Sequence, residues 1–256
     1  MKTNKKSQKL KFLTVCSAAA AAALRASHYA FGTDGRGLLV AGHWSVIGLW
    51  AVSIIFISAL LLVGRDIRNP ASGTSVPPAS TVSAVGCFAL AAGLIVTALQ
   101  QYDGFLLSFE MIVWVLELLV AVGLLVAGIC RLTGKKLYFL IHAVMCLFFT
   151  LRMIIQYRHW SADPQLQDYG FYLCAHAAMM LVSYQQAAFD AGMINLRSLW
   201  ICSLGAVFLC CAAMPHCEEA LLMGCCAIWA LTNPAALPER KRRVRPAFQT
   251  SEKREA

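Results

Sequence analysis

Charge is what this chain has least of. Only 14% of its 256 residues are Asp, Glu, Lys or Arg, and 59% are hydrophobic, whereas soluble domains carry about 25% charged residues. Polar stretches are scarce as well, and none is long enough to fold as an aqueous domain. Together these absences exclude an ordinary soluble enzyme. Signature motifs are missing too: there is no CxxC, no HExxH, no GxSxG elbow, no GxGxxG and no Gly-rich phosphate loop. No catalytic residue, cofactor site or metal site is therefore expected, and an enzyme is the least favoured class because no nucleophile–base pair is legible.

What the chain does have is apolar runs, with a mean hydropathy of +0.64. Each covers roughly 18–25 residues, enough for a helix to cross about 30 Å of hydrocarbon. The expected fold class is an all-α integral membrane protein, a polytopic bundle of about eight transmembrane helices. The spans are placed at 12–31, 38–63, 81–101, 106–130, 137–157, 168–190, 198–215 and 218–236. They form one transmembrane domain over 12–236. Basic tails at 1–11 and 237–256 flank it, and a Pro-, Gly- and Ser-rich linker at 64–80 interrupts it.

Charge placement tests this count independently. With the N-terminus inside, the cytoplasmic segments hold eighteen Lys/Arg and the opposite side holds two, Arg36 and Arg158. The outer side collects Asp34, Asp103, Asp163, Asp168, Glu218 and Glu219. Both termini are then expected in the cytoplasm. Compact loops and the lack of N-x-S/T sites point to a bacterial plasma membrane. The net charge of +9 calls for no nucleic-acid partner. Twelve basic residues sit in the two tails, where anionic headgroups of the bilayer are the expected partners.

Residues 1–24 also fit a signal peptide, with small residues near Ala21–Ala23 for cleavage. Retention is expected instead, because the apolar stretch continues past Arg25 and Arg25 has a counterpart later on. The eleven cysteines lie almost wholly within expected helices, where Cys acts as a small packing residue. A weak internal echo links Arg25 and Tyr29 of the first helix to Arg152 and Tyr157 of the fifth, as a repeat of four spans per half would.

Function has to be sought among ionisable residues within the spans. Each costs about 2.5–3.5 kcal/mol on insertion scales, so each needs a partner or a watery cavity. Arg25, Glu110, Glu117 and Arg152 all fall in the outer half or at the midplane. Arg152, Gln156 and His159 follow i, i+4, i+7 spacing and share one helix face, as do Glu110, Trp114 and Glu117. Tyr169, Tyr172, His176 and Ser183 form another stripe, and Gln100 and Gln101 end the third span.

Two main readings follow. In one, Arg25 and Arg152 pair with Glu110 and Glu117 as buried staples of a non-catalytic scaffold or signalling subunit. In the other, Arg25, Glu110, Glu117, Arg152, Gln156, His159 and His176 line an outward-facing site of a small-solute carrier or receptor. The solute would be an anion met by guanidinium forks, with Glu117 taking up a proton. Glu218 and Glu219 are expected to favour the N-terminal dipole of the last helix. Met223 at the sixth position of that stretch removes an EExxxR protease motif. Asp190 is expected to offset Arg197, and Arg131 to be one of the cytoplasmic basic residues.

Overall fold

A computed structural model describes residues 2–32, 43–65, 79–101, 109–160, 166–193, 195–216 and 219–233. Most of the linker, the outer turn before the sixth helix, Cys217, Glu218 and the C-terminal tail lie outside them. So do the side chains of His159 and Tyr169.

The described chain is all-helical. Its elements are α1 (Lys2–Phe31), α2 (Trp44–Gly64), α3 (Thr81–Gln100), α4 (Phe109–Thr133), α5 (Leu140–Trp160), α6 (Leu166–Asp190), α7 (Leu196–Ala213) and α8 (Ala220–Thr232). A 3-10 turn, Met214–His216, joins the last two. Six helices are long and apolar enough to cross a membrane: α1 from Gln8, α2, α3, α4, α5 and α7. Their outer surfaces are those of a membrane protein. On α2, Trp44, Ile47, Trp50, Ile54 and Ile55 are all exposed, a continuous apolar face that a water-facing helix does not keep.

Two of the expected spans do not meet that measure. α6 is long enough, but Gln167, Asp168, His176, Gln185, Gln186 and Asp190 lower its hydropathy. Thirteen-residue α8 reaches only about 20 Å at 1.5 Å per residue. The basic segment before the first span is helical, because α1 runs unbroken from Lys2 past Ala21–Ala23 to Phe31.

Helices α3 to α8 pack in chain order, each against the next, and α8 returns to α3 to close a six-helix ring. One apolar core fills it, with Leu94 of α3, Leu124 of α4, Phe149 of α5, Met179 of α6, Cys210 of α7 and Met223 of α8 all buried. Helices α1 and α2 stand outside the ring against α7. There Ala21 of α1 meets Phe56 of α2 and Phe208 of α7, whose rings stack at 4.6 Å. Small residues below Arg25 allow this close approach, since Ala18 and Ala21 are buried.

The closure between α3 and α8 depends on two glycines. A Cβ on Gly86 would collide with Thr232 and come within 3.3 Å of the Trp229 Cα, and one on Gly93 would sit 2.8 Å from Cys225 Sγ. No repeat of four helices is visible in this packing. α1 packs on α2 and α7, whereas α5 packs on α6 and α4, so α5 lacks the partner that a repeat would assign it.

Candidate functional site

Arg152 of α5 is 3% exposed and its guanidinium bridges two carboxylates. Nη1 donates to Oε2 of Glu117 on α4 at 2.9 Å. Nη2 donates to Oε1 of Glu219, the residue at the head of α8. Four residues before Arg152, and so on the same helix face, Phe148 turns its ring to the guanidinium at 5.6 Å.

Glu219 is the hub. Besides Arg152 it accepts from the Tyr172 hydroxyl of α6, from Gln101 Nε2 at the end of α3 at 2.8 Å, and from Gln156 Nε2 at 3.5 Å. Four of the six ring helices thus meet at one carboxylate, and Arg152 ties in Glu117 of a fifth, α4. Glu117 is the contrast. It is 1% exposed, its Oε2 has the single arginine donor, and its Oε1 has no partner.

His176 lies one turn below Tyr172, with the rings 4.4 Å apart and edge to face. Its Nδ1 stands 3.0 Å from the Tyr172 carbonyl. A carbonyl only accepts, so Nδ1 carries the hydrogen, and Nε2 of the neutral ring is a bare lone pair. That Nε2 has no partner, in a side chain with no exposed surface.

The sequence-predicted residues therefore divide. Arg152, Glu117, Gln156 and His176 come together, and Arg152–Glu117 is the expected staple. Glu110 does not join them, because it lies exposed on the first turn of α4, two turns above Glu117. Arg25 is buried but stands elsewhere, with its guanidinium over Tyr29 at 5.1 Å and over Phe171 of α6 at 5.0 Å. The side chain of His159 is outside the described residues.

Glu219 is the residue that sequence reasoning misplaced. It makes no side-chain capping bond to α8 and turns instead toward Arg152. At the edge of an apolar run it reads as a helix cap, and only the packing of distant segments brings it to Arg152.

A second polar network joins the same helices at their opposite ends. Asp190 of α6 lies 2.8 Å from His142 Nδ1 of α5, at an angle oblique to a hydrogen bond, and 3.7 Å from Arg131 Nη2 of α4. Gln186 donates to Asp190 at 3.2 Å, and Asn233, just past the end of α8, donates to Gln186 at 2.9 Å. All five residues are buried. This corrects two expectations, because Arg131 is not a surface charge and the counterion of Asp190 is Arg131 rather than Arg197.

Among the described residues, no three His, Cys, Asp or Glu side chains are placed to hold an ion. The ten described cysteines are free, in keeping with a packing role.

The fold and the site together define a class, an all-helical membrane protein with an ionic cluster buried inside a closed ring. No protein-family model, curated protein or solved structure matches the chain, so its role is argued from the site.

Proposed function

We propose that the protein is a small-solute carrier or receptor whose binding site is the cluster around Arg152, with Glu117 as its proton-exchanging group. One observation carries this: a buried carboxylate oxygen, Glu117 Oε1, has no partner beside an arginine whose other arm is held by Glu219. A purely structural pair would satisfy both oxygens, because an unpaired buried acceptor costs about 1–3 kcal/mol. Half-satisfied buried groups of this kind recur where a proton or solute comes and goes.

In this reading all eight helices lie within the bilayer, with α6 and short α8 held there as members of the ring. The positive-inside distribution puts both termini in the cytoplasm of a bacterial plasma membrane and the Arg152 cluster in the outer half. The basic tails then meet anionic headgroups.

Native mass spectrometry of the purified protein tests the proposal. Wild type should carry a specific small-molecule adduct that Arg152→Ala loses. Absence of any adduct from both proteins overturns a tight site.

The second reading, a non-catalytic scaffold or signalling subunit, is favoured by the completeness of the Glu219 hub. It expects Glu117→Gln to lower thermal stability without touching any ligand. It also expects Arg152→Glu combined with Glu117→Arg to recover what each change loses alone.

A further inference from the structure

We propose that the Arg152 site takes a small cation bearing N–H donors, ammonium or a primary amine, in exchange for the proton of Glu117. The proposal rests on the carrier-or-receptor reading and names the solute class of that site.

Charge comes first. One guanidinium faces two carboxylates, and among the described residues the other titratable groups by this trio are Tyr172 and His176 of α6 and the Cys226 thiol of α8, while α3 contributes the neutral Gln101. With both carboxylates ionised and His176 neutral, the buried site carries one negative charge, which a bilayer interior does not tolerate without compensation. Glu219 is held ionised, because Arg152, Tyr172, Gln101 and Gln156 all donate to it and a carboxylate offers about four such sites. The compensating charge therefore falls to Glu117, whose Oε1 is bare.

Hydrogen-bond capacity comes second. Glu117 Oε1 and His176 Nε2 are both buried acceptors without partners, joined by the contact chain Glu117–Arg152–Glu219–Tyr172–His176. A ligand that satisfies both must donate two hydrogens. A proton on Glu117 satisfies one, whereas an ammonium group carries enough N–H donors for both. Arg152 Nε, also without a partner, is left for a water or for a hydroxyl on the solute.

The surroundings suit a cation as well. Phe149 stands edge to face with His176 at 6.0 Å, and the Tyr172 ring is nearer still, so aromatic quadrupoles line the place. An anion would meet two carboxylates and find its arginine taken.

The exchange balances. One ammonium-type cation enters, the O–H bond of the Glu117 carboxyl breaks, its proton leaves to water, and the site stays neutral in both states.

Titration calorimetry on the folded, full-length protein tests this, with methylammonium chloride as the probe in two buffers of different ionisation enthalpy. Methylammonium should bind with release of about one proton per site, since a carboxyl must ionise to receive it. Tetramethylammonium, equally charged but without N–H, should not bind. Glu117→Gln should abolish both binding and proton release, and His176→Leu should weaken binding at least ten-fold while the fold survives in thermal melts. Binding without proton release overturns the exchange. Tetramethylammonium binding as tightly as methylammonium overturns the donor requirement. Acetate or phosphate binding that Arg152→Lys removes overturns the cation class but leaves a solute site standing. No binding heat with methylammonium overturns the cation site, while an adduct that Arg152→Ala loses would still leave the carrier-or-receptor reading standing.

Discussion

Arg152 is the residue whose loss the protein should tolerate least. Arg152→Ala removes the guanidinium that Glu117 and Glu219 share, and breaking a buried ion pair from one side costs about 3–5 kcal/mol. Thermal unfolding in detergent should show that loss, with Arg152→Lys intermediate because an ammonium cannot fork to both carboxylates. The two glutamates should differ. Glu219→Gln removes the charge that Arg152, Tyr172, Gln101 and Gln156 address, and each hydrogen bond to a charged group is worth about 1.5–3 kcal/mol. Glu117→Gln touches one such bond and should lower the melting temperature less. Arg152 and Glu117 were legible in the sequence because a charge inside an apolar run announces itself and depth can be counted along a helix. Glu219 was not, because at the edge of a run it looks the same as a helix-capping acid. The Asp190 network was hidden for the same reason, with Arg131 and Asp190 both near helix ends.

Among the elements, the α3–α8 seam should be the most sensitive to added volume. Gly86→Ala pushes a methyl into Thr232 and the backbone at Trp229, and overpacking of this kind costs about 1–3 kcal/mol. Gly205 of α7 gives the control. Nothing lies within 4 Å of its Cβ position, so Gly205→Ala should be neutral or gain up to about 1 kcal/mol of helix propensity. Comparing the two melting temperatures separates close approach from a general intolerance of the fold. The helices themselves were legible, since length and apolarity are read along one dimension. Their partners were not. That α8 returns to α3 while α1 and α2 stay outside is set by contacts between distant segments, and composition does not report those. α6 is instructive, because His176, Gln186 and Asp190, three of the polar residues that lower its hydropathy, are held in the two buried networks.

For the whole molecule, the proposed orientation is open to direct measurement. A fluorescent protein fused after Ala256 should fold and fluoresce inside the cell, whereas alkaline phosphatase fused there should be inactive and one inserted near Asp103 should be active. The opposite result inverts the topology and moves the Arg152 cluster to the inner half. The ring also has a history in time, because chains are made from the N-terminus onward. Until α8 leaves the ribosome, the ring is open between α3 and α7. Arg152 then faces Glu117 without Glu219, and Gln186 at the other end waits for Asn233. Both polar networks are completed by the last described helix. A ribosome that stalls ahead of α8 would release a bundle with unsatisfied charge in its middle, a mark by which quality-control proteases can tell an unfinished chain from a finished one.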